Sequence, residues 1–405
     1  MLEIQFNHRG IIKRILKDHF DGFRQFHQNL FPAAYRKDIE ETVLKAMRCG
    51  SSDLGHIRYE CLGCPWETKP VFIYFSCKSR FCNKCGKKYT DEWSKKQQDL
   101  IFNVLHRHMV FTIPEELRQV FFQDRKKLNE LSQLVAQVFE YYFQRRHKKL
   151  ELKPRIITVI HTFGRDLKFN PHIHVLVTEG AMDCHREWHP LEYISYEYLR
   201  KSLQKIVMDS MKKWFPDNLK IKALIDDLYR RYPKGFYVNA EKKMKNAKGA
   251  AKYIGRYLSR PAIAEHRILG YDREHVTFWY EDHQTRKRIV KKQTVYRFPY
   301  NLIQHIPPKH FRMVGRFGLY SRRSYERASQ AMNLYEFVRT KQLSLNLPKM
   351  PKRKKSYRER MIEAFNEDPF WCPHYHRKMD LVEVWHAEHG LLYHYMMDAK
   401  SIYKT

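Results

Sequence analysis

The fold class follows from one stretch of sequence, His172-Ile173-His174-Val175-Leu176-Val177-Thr178. Its aliphatic and β-branched composition predicts a strand, which starts after the turn-forming dipeptide Asn170-Pro171. Because side chains alternate along a strand, the two histidines lie on one face. The opposite face carries three residues that can anchor the strand in a core: Ile173, Val175 and Val177. Two imidazoles held side by side on a sheet form half of a divalent-metal site.

The histidine pair gains weight from its context. With 22 histidines in 405 residues, chance alone gives about one His-x-His. The chain has three such pairs, at 106/108, 172/174 and 374/376, and only the middle one heads an aliphatic strand. The alternative interpretation is a pair of strand histidines that only form hydrogen bonds.

The charge balance is strongly basic. There are 76 Lys and Arg residues against 44 Asp and Glu residues, which gives a formal net charge of +32. A surplus of this size favours a polyanionic partner, and nucleic acid fits better than anionic lipid because no basic cluster lies beside an apolar anchor. Aromatic residues are interleaved with basic ones, for example in 141–146 and 291–297, which favours single-stranded nucleic acid over an ordinary basic surface.

Length and hydropathy indicate a chain of two or three domains. Hydrophobic residues make up 43% and aromatic residues 14% of the 405 positions, which is ample material for cores. No window approaches 18 uninterrupted apolar residues, so we expect no membrane span. The first ten residues, MLEIQFNHRG, lack the layout of a signal peptide, and we predict a cytosolic protein.

The cysteines are clustered. Six of the eight lie between Cys49 and Cys85. Cys61-x2-Cys64 and Cys82-x2-Cys85, separated by seventeen residues, predict a structural zinc ribbon with these four thiolates as ligands. Three further donors lie nearby, Cys49, His56 and Cys77, and the choice between one ion and two stays open. A later Cys/His group could indicate a second metal, but its spacing fits no familiar ligand pattern, and scattered surface histidines are the preferred interpretation: Cys372, His374, His376, His386, His389 and His394.

Periodicity and turn signals give the organisation along the chain. Helices are predicted at 6–47, 115–150, 193–215 and 247–259, strands at 109–113, 155–161, 172–178 and 236–239, a β-rich segment at 268–300, and a basic linker at 349–360. This predicts an α+β protein with three segments. They are a helical, zinc-binding, DNA-recognition module at 1–95, a catalytic domain at 96–320, and a basic C-terminal region at 321–405.

The predicted helix AKGAAKYIGRYLSR (247–260) carries two tyrosines, Tyr253 and Tyr257. They are four residues apart and therefore neighbours on one face. Both fall between an apolar stripe (Ala247, Ala250, Ala251, Ile254, Leu258) and a basic edge (Lys252, Arg256, Arg260). Rings on this boundary can be packed while their hydroxyls face a groove. The alternative is a boundary pair with local hydrogen bonds.

Chemistry connects the tyrosines to the histidines. A tyrosine that attacks a phosphodiester forms a phosphotyrosine, which retains the energy of the bond for rejoining. A phenol is a poor nucleophile at neutral pH, so it needs a polarised phosphate, which a divalent ion on His172 and His174 supplies. Mn²⁺ or Mg²⁺ suits imidazoles combined with an oxygen ligand, although imidazoles also accept Zn²⁺. His161 is the candidate third ligand, with Asn239 and Glu241 as alternatives, and Lys252 and Arg256 can stabilise the developing charge.

The chain resembles the two-tyrosine HUH transposases of rolling-circle insertion sequences (insertion-sequence-ninety-one type), where HUH denotes two histidines around a hydrophobic residue. The similarity lies in linked segments that occur in the right order: SCKSRFCNKC within Cys49–Cys85, HTFGRDLKFNPHIHVLVTEG, KYIGRYLSRPAIAEHRI and HIPPKHFRMVGRFGLYSRR. In one departure, Phe81 stands where relatives often have histidine. Some relatives also keep a single tyrosine.

The resemblance implies a fold and an activity. It implies an antiparallel sheet that bears the histidines, with the tyrosine helix beside it. It also implies nicking of single-stranded DNA, a 5′-phosphotyrosine intermediate and strand transfer, in a bacterial, nucleoid-associated protein of the cytoplasm. Carried over, His172 and His174 are the metal ligands, Tyr253 and Tyr257 the nucleophiles, and Cys61, Cys64, Cys82 and Cys85 the zinc ligands.

Two other functions stay open at the level of sequence. A plasmid or phage replication initiator (relaxase) would use the same active site on a different DNA substrate. A zinc-ribbon nucleic-acid-binding protein without catalysis would retain all its activity when both tyrosines are replaced by phenylalanine. A nuclease with a carboxylate triad has less support, because the sequence singles out no set of three acidic residues.

Overall fold

The structure is a computed structural model that describes residues 10–397 with gaps. The gaps are 65–68, 99, 103, 147–148, 192, 245–246, 256–261, 283–284, 322–323, 325, 327–328, 331, 333–355, 366–367 and 373. The chain divides into two compact units. The first unit comprises Met1–Glu40 and Gly86–Ser344, and the second comprises Glu41–Cys85 and Leu345–Thr405. These units interleave along the sequence, whereas the three predicted segments run consecutively.

Helices and strands are distributed as follows. The helices are α1 (Ile11–His27), α2 (Ala33–Met47), α3 (Asn83–Gln98), α4 (Arg118–Gln123), α5 (Lys126–Arg146), α6 (Tyr196–Trp214), α7 (Leu219–Arg231), α8 (Ala247–Gly255), α9 (Arg297–Ile303) and α10 (Tyr357–Phe365). The strands are β1 (Gly55–Glu60), β2 (Val71–Tyr74), β3 (His106–Thr112), β4 (Lys153–Phe163), β5 (Phe169–Met182), β6 (Trp188–Pro190), β7 (Tyr237–Met244), β8 (Ile268–Tyr271), β9 (His275–Glu281), β10 (Arg288–Thr294), β11 (Val314–Gly318), β12 (Asp380–His386) and β13 (Gly390–His394).

A large antiparallel sheet forms the centre of the first unit. Its strand order is β11-β4-β5-β3-β7, and β6 pairs with β5 at one end. One face packs against α5 and α6 in a core that contains Ile173, Val175 and Val177, each fully buried. Burial of each such side chain contributes about 1.5–3 kcal/mol. The predicted anchoring face of the 172–178 strand is therefore confirmed.

The opposite face of the sheet packs against α8. Leu176 of β5 lies in one cluster with Ala250, Ala251 and Ile254 of this helix, and all four side chains are fully buried. The histidines of β5 share this face with Leu176 because they precede it by two and four residues. The predicted α+β class is thus confirmed, with N-terminal helices, a cysteine cluster and an antiparallel sheet flanked by helices.

The predicted helix at 115–150 is two helices, α4 and α5. The chain becomes extended at Asp124 (φ −124°, ψ 97°), whose carboxylate accepts a hydrogen bond from the backbone N–H of Lys126 at 3.0 Å. Arg125 is buried and donates to the carbonyl of Gln304 at 2.7 Å. Apolar periodicity continues on both sides of this break, so the pattern alone did not reveal it. The sequence likewise missed α7, which begins where the side chain of Asn218 accepts from the N–H of Ile221.

The second unit is built on a four-stranded antiparallel sheet of order β13-β12-β1-β2. β1 pairs with β12, from Gly55↔His386 to Glu60↔Asp380, so strands from distant parts of the sequence share one sheet. The predicted linker at 349–360 lies outside the described residues up to position 355, and α10 occupies its end. In the described residues, no helix combines the length and the apolar character that crossing a membrane requires.

Candidate metal centre and nucleophile

Three histidines meet on the α8 face of the large sheet. β4 and β5 pair so that His161 lies opposite His172, while His174 lies opposite Val159. One ring nitrogen from each of the three histidines falls within 4.8 Å of the others. His161, proposed from sequence as the third ligand, is therefore placed beside the predicted pair. The register explains this, because residues directly opposite each other in a sheet point to the same face.

Hydrogen bonds orient the histidine rings. Nδ1 of His172 lies 2.7 Å from the carbonyl oxygen of Asn170, so it carries the proton and donates, leaving Nε2 for a ligand. Nδ1 of His174 lies 3.0 Å from Nε2 of His108 on β3. A ring nitrogen held by an outer partner in this way fixes both the tautomer and the direction of the ligating nitrogen.

The protonation state of His174 suits metal binding. Burial lowers its pKa well below the usual value, and the nearby imidazoles of His172, His161 and His108 lower it further. His174 is therefore neutral at pH 7, the form in which imidazole binds a cation. A neutral imidazole has a lone pair that a divalent cation can bind, whereas a protonated imidazole would repel the cation.

The spacing of the rings fits one ion. Nδ1 of His161 lies 3.0 Å from Nε2 of His172. Metal–nitrogen bonds of about 2.1 Å at a right angle would place two ligand atoms about 3.0 Å apart. Ring centroids of the three histidines are 4.8–5.4 Å apart and their planes are steeply inclined, which leaves the rings unstacked. The donors present therefore fit a divalent ion.

Tyr253 lies beside this group. Its ring meets the ring of His108 edge to face, with centroids 4.9 Å apart, and His108 in turn stacks on His174 at 5.2 Å. α8 holds the tyrosine there through its buried stripe, and Gly255 at the end of the helix allows the close approach of α3. A Cβ at Gly255 would fall 1.9 Å from Oγ of Ser94. The apolar stripe predicted for the helix is confirmed at Ala250, Ala251 and Ile254.

The remaining catalytic candidates have different outcomes. Lys252 is exposed on α8, next to Tyr253. Tyr257 and Arg256 lie outside the described residues, so their roles stay predictions. Asn239, an alternative ligand, is exposed on β7, and nothing is described of the side chain of Glu241, so both stay predictions.

The cysteines form two groups in the second unit. In one group, thiol sulfurs of Cys49, Cys77, Cys82 and Cys85 lie within 4.8 Å of one another. Sγ of Cys85 lies 3.6 Å from Sγ of Cys49 and 3.7 Å from Sγ of Cys77. A disulfide is about 2.05 Å long, whereas four thiolates bound tetrahedrally at about 2.3 Å are about 3.8 Å apart. This group thus fits a zinc ion with four thiolate ligands.

The acid–base properties of this group agree with a bound cation. Hydrogen bonding from Cys77 and Cys82 lowers the pKa of Cys49 to about 6, whereas closeness to Cys49 raises the pKa of Cys77 and of Cys82. Four thiols in such contact cannot all ionise unless a cation compensates their charge. Zn²⁺ supplies this compensation and requires thiolates as ligands.

The predicted single ribbon of Cys61, Cys64, Cys82 and Cys85 is therefore wrong as one ligand set. Cys61 and Cys64 group with Cys372 instead, and the chain runs through β2 between the two predicted pairs. Sequence reasoning also dismissed Cys372 as part of a scattered group, although the residue is fully buried. Its signal was the following Pro373-His374 and His376, which place further donors near a cysteine.

Sequence reasoning gave no role to His108, which supports His174 in the structure. This residue is fully buried, and the pair 106/108 appeared in sequence only as a chance His-x-His. Its contact with His174 arises because β3 pairs with β5, a non-local feature that periodicity does not report. The signal available in sequence was a second His-x-His directly before the predicted strand at 109–113.

We expect His108→Gln to weaken the binding of Mn²⁺ to the histidine group by about 10–100-fold, the range that outer partners of metal-ligating histidines typically contribute. Calorimetric titration of the purified protein with Mn²⁺ measures this effect. Saturating Mn²⁺ should still fill the site, since His161, His172 and His174 remain. An unchanged affinity for Mn²⁺ would show that His108 does not orient His174.

These features define a class of protein: an antiparallel sheet with a partly buried histidine group, a tyrosine-bearing helix beside it, and a cysteine-rich module. A family model described as "Transposase zinc-binding domain" matches residues 15–113, and one described as "Putative transposase" matches residues 156–328. The transposase for insertion sequence element IS801 of Pseudomonas savastanoi pv. phaseolicola is 32% identical over 352 residues, covering 83% of this chain and 82% of the relative. The chain belongs to the IS91-type family of insertion-sequence transposases.

A second relative extends the similarity over almost the whole chain. The "Putative transposase y4qJ" of Sinorhizobium fredii (strain NBRC 101917 / NGR234) is 23% identical over 399 residues, which cover 93% of this chain and 96% of the relative. No solved structure matches the chain. The match to the zinc-binding family, together with the four-cysteine group, supports structural zinc.

Proposed function

We propose that this transposase nicks and rejoins single-stranded DNA through a 5′-phosphotyrosine, in rolling-circle-type transposition of an insertion sequence. One observation carries the proposal. Tyr253 contacts His108, and His108 contacts His174. A candidate nucleophile therefore lies on the same side of the sheet as three histidines that can bind a metal ion. This activity would place the protein at the nucleoid in the bacterial cytoplasm.

His161, His172 and His174 would hold a divalent ion, Mg²⁺ or Mn²⁺. Such an ion supplies Lewis-acid polarisation of the scissile phosphate and stabilises charge on the leaving oxygen. The sheet contributes rigidity, because β5 pairs with β4 from Ile156↔Val177 to His161↔His172 and with β3 from His106↔Thr178 to Thr112↔His172. The rings therefore stay in place without reorganisation at the moment of reaction.

Tyr253 would supply the nucleophile. Its oxygen attacks the phosphorus, the bond from phosphorus to the 3′ oxygen breaks, and the 3′ oxygen leaves as a hydroxyl. The 5′ phosphate stays on tyrosine until a second 3′ hydroxyl attacks it, which restores the phosphodiester and frees the phenol. Buried Ala250, Ala251 and Ile254 on the same helix fix the ring against the sheet during these steps.

Charge around the tyrosine would support both DNA binding and the transition state. Lys252 is exposed and adjacent in sequence to Tyr253, and Arg256 follows three residues after Tyr253 in the sequence. A lysine ammonium or arginine guanidinium near the phosphate stabilises negative charge as it develops. We assign both residues this supporting role.

Aromatic and basic side chains at the surface support the proposal that the protein prefers single-stranded DNA. Tyr141 is 55% exposed, and Arg145, one turn later on α5, is also exposed. In the small sheet of β8–β10, the guanidinium of Arg288 lies 4.5 Å from the ring of Trp279. Unpaired bases can stack on such aromatic rings, while the neighbouring cations contact the phosphate backbone of the nucleic acid.

The test is formation of a covalent adduct. Purified full-length protein is incubated with a labelled single-stranded element end and Mn²⁺, and denaturing gel electrophoresis reports a labelled protein band. We expect an adduct that requires Mn²⁺ or Mg²⁺, disappears with chelator, and does not form on the same sequence as duplex. Absence of any adduct with element ends and metal would contradict the proposal and favour the non-catalytic nucleic-acid-binding alternative.

The same assay addresses the replication-initiator alternative. An initiator would cleave an origin sequence in preference to element ends, whereas a transposase cleaves the ends and joins them to a target strand. Family membership favours transposition, because both relatives carry transposase names. Joining of the cleaved end to an unlabelled target oligonucleotide, seen as a longer labelled product, distinguishes the two activities.

A further inference from the structure

A second cysteine group lies apart from the four-cysteine group within the same unit. The thiol sulfurs of Cys61, Cys64 and Cys372 fall within 4.8 Å of one another. Cys61 and Cys372 are buried, and Cys64 is half-buried. Cys372 lies far outside residues 15–113, which the zinc-binding family model matches. The group is therefore not explained by that domain alone.

We propose that Cys61, Cys64 and Cys372 bind a second structural zinc ion, which fastens the C-terminal segment to the zinc-binding module. The chain would then carry two zinc ions in the second unit, one on each cysteine group. This proposal does not depend on the catalytic mechanism, since neither the histidine group nor the tyrosines take part.

The backbone around Cys61 and Cys64 has the form of a metal-binding knuckle. The two cysteines flank the turn Leu62-Gly63, in which the N–H of Cys64 donates to the carbonyl of Cys61 at 3.3 Å. Gly63 has φ +78°, a left-handed conformation that glycine adopts without strain. This turn directs both thiols to the same side, the arrangement that a C-x2-C pair provides to zinc.

A second turn presents Cys372 in a comparable way. The N–H of His376 donates to the carbonyl of Cys372 at 3.0 Å, and the N–H of Tyr375 donates to its sulfur at 3.4 Å. A backbone N–H directed at sulfur stabilises the thiolate over the thiol, as hydrogen bonding to a charged form does generally. Two turns that are far apart in the sequence thus bring the sulfurs of Cys61, Cys64 and Cys372 close together.

Ordinary core packing is a weaker explanation for this group. Cys61 and Cys372 do lie in an apolar cluster with Phe370 and Met379. Thiols that only fill space do not require two turns and an N–H bond to sulfur, and three thiols cannot pair completely as disulfides. A structural zinc site takes four ligands, and His374 and His376, which follow Cys372 in the sequence, are the candidates for the fourth.

The location of the group explains what an ion would stabilise. Cys61 follows directly after β1, and Cys372 precedes β12, the strand that pairs with β1 as far as Glu60↔Asp380. An ion here would join the end of β1 to a turn that lies eight residues before β12 and more than 300 residues away in sequence. Closing so long a loop carries a large entropic cost, which a metal bridge offsets.

The experiment measures metal per chain in the full-length protein. Zinc is counted by mass spectrometry of the purified protein, and Co²⁺-substituted protein is examined by the thiolate-to-cobalt charge-transfer band, to which histidine sites do not contribute. We expect Cys372→Ala to lose one zinc ion per chain and about three sevenths of the band, because three of the seven clustered thiols belong to this group. Cys77→Ala should lose the other ion, and the double variant should lose both.

Controls keep the result decisive. Cys184→Ala removes an exposed cysteine outside both groups and should change neither measurement. If Cys372→Ala fails to fold, Cys372→His replaces it, since histidine can still bind zinc: the zinc count should stay normal while the charge-transfer band falls. Full zinc content in Cys372→Ala, or an unchanged cobalt band in Cys372→His, would overturn the proposal.

Discussion

Replacement of His174 by alanine is expected to reduce formation of the covalent DNA adduct by more than about 100-fold. Outer partners of metal-ligating histidines contribute about 10–100-fold, so loss of a ligand itself should cost at least the upper end of that range. His174 is the most buried member of the histidine group, and it connects the other two ligands to His108. The measurement is the initial rate of adduct formation over a range of Mn²⁺ concentrations.

A matched control separates metal binding from stability. His106→Ala removes another buried histidine, two residues before His108 on β3, whose ring nitrogens lie 2.8 Å from the carbonyl of Val104 and 3.0 Å from the hydroxyl of Tyr320. Loss of buried hydrogen bonds should destabilise each variant by about 1–3 kcal/mol. We expect both to show lower melting temperatures, but only His174→Ala to lose Mn²⁺-dependent cleavage. If His174→Ala cleaves DNA as fast as His106→Ala does, the histidine group takes no part in the mechanism.

Local patterns in the sequence predicted the elements that carry the site. The 172–178 strand is set by alternation of buried and site-facing residues over seven positions, and α8 is set by small apolar residues at helical spacing. Both patterns depend only on neighbours in sequence. The role of His161 as a third ligand could be predicted for a similar reason. A short loop joins its strand to β5, so antiparallel pairing of the two strands is the expected outcome.

The parts that the sequence did not predict depend on distant contacts. His108 reaches His174 only because β3 enters the sheet beside β5, and nothing in the 106–112 stretch specifies that neighbour. The cysteine spacing identified two C-x2-C pairs, but not which pairs share an ion. Cys82 and Cys85 group with Cys49, which lies 36 residues before Cys85, and Cys61 and Cys64 group with Cys372, which lies more than 300 residues later. Spacing identifies each local pair, whereas tertiary structure determines the ligand set.

The two tyrosines are expected to differ in function. Tyr253→Phe should reduce the first cleavage by about 1,000-fold or more, the scale of effect when a catalytic nucleophile is removed. Phenylalanine keeps the ring contact with His108 and the packing of α8, so the substitution removes little besides the hydroxyl. Tyr257→Phe should still form the adduct but fail to complete strand transfer, because the second nucleophile is missing.

Two labelled substrates distinguish these steps. The adduct assay on an element end reports the first cleavage, and the joined product with a target oligonucleotide reports strand transfer. Tyr193→Phe, which removes the hydroxyl of a tyrosine that is 60% exposed in the loop between β6 and α6, serves as the control and should leave both steps unchanged. If Tyr253→Phe and Tyr257→Phe each retain equal, partial activity in both assays, the tyrosines are interchangeable, and closeness to the histidine group does not decide which one attacks first. Full activity of the double variant would instead exclude tyrosine as the nucleophile.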